Sequence, residues 1–133
     1  MTTFIEGGVT AAKGFQAAGV HCGIRKNRAK KDLGLIVSDR PASAAAVYTR
    51  NLVKGAPLTV TQAHIADGRA RAIVCNSGIA NTCAFDGIEK AEAMCALTAE
   101  ALGIDAADVV VASTGVIGPS IDIAPIAAGL PRL

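Results

Sequence analysis

Two adjacent hydroxyls and a glycine stand where an apolar run ends, in Val109-Val110-Val111-Ala112-Ser113-Thr114-Gly115-Val116-Ile117-Gly118. The first half has the length and β-branched content of a buried strand. At a strand end, such a step places an O–H and bare backbone N–H groups around one point. That arrangement stabilises a developing oxyanion. Thr114 and Gly115 are therefore the candidate catalytic pair. Thr and Gly are also ordinary turn formers, so the residues alone leave both readings open. No nucleophile accompanies them in the same segment.

The second polar strand end is Asn76-Ser77-Gly78-Ile79-Ala80-Asn81. Both asparagines are suited to holding loop backbone by Asx turns. Ser77 as a nucleophile would need a base, and the only histidines are His21 and His64. His21 reads as part of an alternating strand and His64 as part of a surface helix, so neither is assigned as that base. Gly7-Gly8-Val9-Thr10-Ala11-Ala12-Lys13-Gly14 lacks the order of a phosphate-binding loop, because Gly14 rather than Ser or Thr follows Lys13. Arg25, Lys26, Arg28, Lys30 and Lys31 carry charge suited to phosphates. With no aromatic residues between them they read as a solvated hairpin tip. Cys22, Cys75, Cys83 and Cys95 have no metal-type spacing and read as free thiols. No metal site is expected.

Several function classes drop out on composition. A formal charge of +2 is too small to argue for nucleic acid or membrane partners, and no run of 18 apolar residues offers a spanning helix. Met1-Thr2-Thr3-Phe4-Ile5-Glu6 lacks the basic start and apolar core of a secretion signal, so a cytoplasmic location is expected. The 133 residues suggest one domain or part of one. Hydrophobic content is 51% but aromatic content only 3%. The core must therefore be built from small side chains, and a partner surface is expected to complete it.

The elements that must position these residues follow from periodicity. A glycine- and alanine-rich loop over 7–19 feeds a strand near Ala18–Ile24. Leu33–Ser38 is a strand, Asp39-Arg40-Pro41 a turn, and Ala44–Thr49 a further strand, with connections too short for helical crossovers. These read as an antiparallel meander. Asn51–Pro57 is a loop and Thr59–Ala66 a short helix stopped by Asp67-Gly68. Arg71–Asn76 is a strand, and Ser77–Asp86 a polar loop. Ile88–Leu102 is the clearest helix, with Ile88, Ala91, Cys95, Ala99 and Leu102 on one face. Asp86 and Glu89 have capping-box spacing, and Gly103 is a stop. Val109–Ala112 is the last strand, and a short helix begins near Asp122. The pattern predicts an α/β sandwich.

In combination these segments resemble the N-terminal (α) part of the ornithine acetyltransferase, or glutamate N-acetyltransferase, family of arginine biosynthesis. The blocks that carry the resemblance are Gly8-Val9-Thr10-Ala11-Ala12-Lys13-Gly14-Phe15, Lys31-Asp32-Leu33-Gly34-Leu35-Ile36-Val37-Ser38-Asp39 and Val53-Lys54-Gly55-Ala56-Pro57. They continue with Asn76-Ser77-Gly78-Ile79-Ala80-Asn81 and Ala112-Ser113-Thr114-Gly115-Val116-Ile117-Gly118. They occur in family order and span nearly the whole chain.

The resemblance implies an α/β fold, a layered αββα sandwich with mixed sheets, completed by a second (β) chain or segment. It implies a precursor that cleaves itself before a threonine. The β chain's N-terminal threonine is then the nucleophile, and the units assemble as α2β2. Acetyl would pass from N-acetylornithine to that threonine and on to glutamate, a ping-pong acyl transfer, with acetyl-CoA a possible donor and no resident cofactor. Thr114 and Gly115 match the family's oxyanion pair, and a donor of this kind is worth roughly 3 kcal/mol in the transition state. The nucleophile and the substrate-binding Thr and Lys have no counterpart here, since the sequence stops at Gly129-Leu130-Pro131-Arg132-Leu133. Residues 1–133 thus read as a truncated α-chain piece, one domain, inactive alone. Ile79 stands where the family usually has Asn. Two other classes remain open: a self-cleaving aminopeptidase of similar fold, and a non-catalytic assembly module.

Overall fold

A computed structural model describes residues 2–133. Four strands form one mixed sheet in the order β1-β2-β3-β4. They are β1 (Phe15–Val20), β2 (Leu33–Ser43), β3 (Arg69–Ile79) and β4 (Val109–Val116). The first three form an antiparallel meander whose third strand is Arg69–Ile79 rather than the expected Ala44–Thr49, and β4 joins β3 in parallel. The parallel step needs a crossover, which α2 (Gly87–Leu102) supplies. Helix α1 (Ala56–His64) lies between β2 and β3 in sequence, and α3 (Ala124–Gly129) follows β4, continued by a 3-10 turn over Leu130–Arg132.

Alternation along the strands gives the sheet two unlike faces. On the inner face Leu33, Leu35, Ala72, Val74, Val109 and Val111 are buried. They pack with Ala91, Met94, Cys95 and Ala99 of α2 and with Ile121, Ile126 and Leu130 near the C-terminus. The outer face carries the rows Ala17-Ile36-Ile73-Val110 and Gly19-Gly34-Cys75-Ala112, read across the register. Among the described residues no helix covers these rows: Ile73 is 39% exposed, and Cys75 and Ala112 are exposed as well.

Helix α1 is placed as an edge cover. β4 is the last strand of the sheet, and its outward backbone groups need partners. Thr61 Oγ1 donates to the Val111 carbonyl (3.0 Å) and accepts from the Val111 N–H (3.3 Å). His64 Nδ1 donates to the Val109 carbonyl at 2.8 Å.

Several boundaries differ from the sequence reading, each for a packing reason. The first strand lies at Phe15–Val20 rather than Ala18–Ile24, because Leu33 to Ser38 pair with it in that register. The turn expected at Asp39-Arg40-Pro41 is a bulge inside β2: the pairing jumps from Val37↔Ala72 to Ala42↔Ala70. Pro41, which lacks an N–H, is tolerated there. Ala44–Thr49 forms no strand, since β3 already pairs with β2 on one side and β4 on the other. Only the Ala44 N–H, bonded to the Gly68 carbonyl, extends that ladder. The loop predicted over Asn51–Pro57 ends early because α1 starts at Ala56 with Pro57 in its first turn, where proline loses no helical bond. β3 likewise continues through Ser77 to Ile79, paired with β4.

Helix α2 is stopped as expected. Gly103 takes φ 65°, and the Ile104 N–H returns to the Ala99 carbonyl. The capping box at its start does not form. Asp86 makes no side-chain cap bond; its carboxylate accepts from Ser120 Oγ at 2.6 Å and faces Lys90 Nζ at 3.8 Å. The buried stripe runs through Gly87, Ala91, Met94, Cys95, Thr98 and Ala99. Gly87 sits against Ala56 and Asn81, which turns Ile88 outward, 47% exposed.

Candidate active site

The two polar strand ends are neighbours. In the parallel β3–β4 pair, Asn76 lies opposite Ser113, Ser77 opposite Thr114 and Gly78 opposite Gly115. Two separate hydroxyl–glycine steps thus meet side by side. Alternation puts Ser77 and Thr114 on the outer, uncovered face, in line with Cys75 and Ala112. A cavity of about 300 Å³ there is lined by Gly34, Cys75, Ser77, Ala112, Ser113 and Thr114, among others. Thr114 and Gly115 are both exposed.

Gly115 has φ 134°, and a Cβ there would stand 2.2 Å from the Gly78 carbonyl carbon. No side chain fits. The backbone of β4 is therefore pressed onto that of β3 here, which fixes the position of Thr114 within the strand.

Ser77 has no base. Its Oγ accepts from Arg25, from Nε at 2.9 Å and from Nη2 as well. Neither histidine is near enough to appear among its partners. His64 is engaged with Val109 and lies 3.2 Å from Glu92 through Nε2. It sits in the packing of α1 rather than on an exposed surface. Asn76 and Asn81 hold backbone: Asn76 Nδ2 donates to the Ile79 carbonyl and Asn81 Nδ2 to the Gly87 carbonyl, both at 2.9 Å.

Asp32 organises the loop behind the site. It is 2% exposed. Its carboxylate accepts from the N–H groups of Cys22 (2.6 Å), Gly23 (3.3 Å) and Arg25 (2.8 Å). His21 Nδ1, between two oxygen acceptors, carries its proton toward Asp32 Oδ2 (3.0 Å) and the Lys30 carbonyl (3.1 Å). Burial pushes the Asp32 carboxyl up. The N–H groups of Arg25 and Cys22, the Cys22 thiol and His21 outweigh it and hold the group below the usual carboxylate range. The Asp32–Arg25–Ser77 chain thereby ties the 21–25 loop to the strand end beside Thr114. Sequence reading does not find this link. No local pattern signals it, because Arg25 and Ser77 lie 52 residues apart in the chain.

All four cysteines are free. Burial raises Cys22 to about 11, helped by Asp32, and raises Cys95 to about 12, helped by Glu92. Both are thiols at neutral pH, not nucleophiles. Among the described residues no group of three His, Cys, Asp or Glu side chains is placed to hold a metal ion, and no helix is long and apolar enough to cross a membrane.

The profile of the ArgJ family matches residues 16–133. The chain belongs to the ArgJ family. It is 47% identical, over its full length, to the arginine biosynthesis bifunctional protein ArgJ of Geobacillus kaustophilus, of which it covers 32%. It is 46% identical to ArgJ of Bacillus subtilis over 97% of its length, covering 32% of that protein. The chain thus spans about a third of the length of the curated relatives it matches. A crystal structure of ArgJ from Bacillus halodurans superposes with a TM-score of 0.90 at 48% identity, over 95% of this chain and 66% of that one. An ornithine acetyltransferase from Mycobacterium tuberculosis, solved with ornithine, gives 0.88 at 40% identity, over 95% and 68%. The α/β fold with a four-stranded mixed sheet and helices is that of these ArgJ structures.

Proposed function

We propose that this chain is the α-part of an acetyltransferase that moves acetyl from N2-acetylornithine to glutamate, and that Thr114 and Gly115 form its oxyanion hole. The observation that carries the reading is the strand end at Thr114–Gly115. It is rigid, because Gly115 is pressed on Gly78, and it opens on the face of the sheet that the chain's own helices leave bare. An oxyanion donor is effective only when preorganised where charge develops. It is useful only if a nucleophile arrives from outside, because Ser77 is held by Arg25 and no histidine serves it.

That nucleophile is the N-terminal threonine of a β chain made by self-cleavage, whose own α-amino group serves as base. The β chain brings a second sheet that packs face to face on the rows Ala17-Ile36-Ile73-Val110 and Gly19-Gly34-Cys75-Ala112. Small residues there allow close approach of the layers. The result is the αββα sandwich, with αβ units paired as α2β2. Attack on the acetyl carbonyl gives a tetrahedral oxyanion held by the Thr114 hydroxyl and a neighbouring N–H. Collapse leaves acetyl-threonine and ornithine, and glutamate reverses the steps. Acetyl-CoA enters, where it is used, as an alternative donor at the first step.

Thr114→Ala in the complete enzyme is expected to lower kcat about 10²- to 10³-fold while leaving self-cleavage product and assembly in place. Acetyl mapped by mass spectrometry to Thr114 itself would overturn the assignment. The 133-residue chain alone should show no glutamate acetylation.

A further inference from the structure

The basic residues of the 21–28 loop do not project as an even solvated tip. Arg25, Lys26 and Arg28 converge with Arg132, from the other end of the chain, on an open cleft of about 580 Å³ that His21 and Cys22 also line. No carboxylate lines this cleft. The nearest acid, Asp32, lies buried behind it with both oxygens occupied by Cys22, Gly23, Arg25 and His21.

Two of the cations are held in place. Arg25 is fixed on Ser77 Oγ through Nε and Nη2, and Arg132 Nη2 donates to the His21 carbonyl at 3.0 Å. A guanidinium has five N–H donors, so each arginine keeps several free. Preorganised arginine forks are suited to oxyanions of phosphate geometry.

We propose that this cleft binds a small molecule carrying a phosphate or diphosphate group. Four formal positive charges against the single buried carboxylate of Asp32 call for a multiply charged anion, more than one carboxylate supplies. The volume exceeds that of a bare phosphate, which leaves room for the molecule that bears it. No Phe or Tyr lines the cleft, so the stacking platform that single-stranded nucleic acid uses is missing. The proposal does not depend on the acyl-transfer reading.

The test is calorimetric titration of the 133-residue protein at low salt, with sodium pyrophosphate in one arm and adenosine diphosphate in the other. One saturable site is expected. Arg28→Ala with Arg132→Ala should weaken it about tenfold or more, while Arg40→Ala with Arg50→Ala, exposed elsewhere, leaves it unchanged. Lys26→Glu, which puts a carboxylate into the cleft, should weaken binding as well, and unchanged urea melts show that each variant folds. Equal affinity in the two arms assigns the diphosphate group alone, and tighter adenosine diphosphate assigns a nucleotide-like ligand. Absence of saturable binding in both arms overturns the proposal. So does equal weakening by the control pair, or retention of a polyuridine RNA with neither small molecule bound.

Discussion

Asp32 holds a negative charge in a buried site because three N–H groups and His21 surround it. Asp32→Asn should therefore cost about 2 kcal/mol at neutral pH, as hydrogen bonds to a charged group are replaced by weaker ones. The pH dependence has a definite sign. Its native pKa lies below the ordinary value of about 3.9, so its stabilisation is complete above that value and fades as pH falls through the lowered native one. Urea melts at neutral pH and in acid should show the gap between wild type and variant closing in acid. A gap that stays constant would refute the role. Thr114 and Gly115 stand out as candidates in the sequence because a hydroxyl–glycine step ending an apolar run is a local signal. Asp32 does not, because its partners lie seven to eleven residues upstream and meet it only through the β1–β2 pairing.

At the scale of elements, α1 is best understood through β4. Thr61 answers both backbone groups of Val111 from a position 8% exposed. Thr61→Val keeps the shape but leaves a buried N–H and a buried carbonyl unpaired. A loss of about 2 kcal/mol in urea denaturation is expected, against which a change of a few tenths would show that α1 does not seal the edge. Periodicity revealed α1 and α2 as helices and gave the stop of α2 at Gly103, whereas α1 ends at His64 and Gly68 closes only the 3-10 turn that follows it. It gave neither the edge-sealing role nor the failed capping box, since both depend on what stands beside the helix. The Ala44–Thr49 pattern shows the same dependence: strand-like alternation makes a strand only where a neighbour has a free edge.

For the whole molecule, the open outer face is the feature with consequences. Cys75 lies in its centre and is exposed, while Cys95 is fully buried and pushed up to about 12. In the 133-residue chain, iodoacetamide at neutral pH should label Cys75 and Cys83 rapidly and Cys95 last. In a complete αβ assembly Cys75 should become protected, because the second sheet covers it. Equal labelling of Cys75 in both would remove the proposed packing. The sequence by itself determined the family, the α/β class, the oxyanion candidates and the shortage of large core side chains, because each is written in local order, spacing or composition. Only the tertiary structure decided that Ser77–Gly78 and Thr114–Gly115 lie side by side, and that Arg25 and Arg132 share one cleft. It also decided that the candidate pair, Thr114 and Gly115, lies on the bare side of the sheet. Strand register and side-chain alternation set those relations, and both are fixed by pairing between residues far apart in the chain.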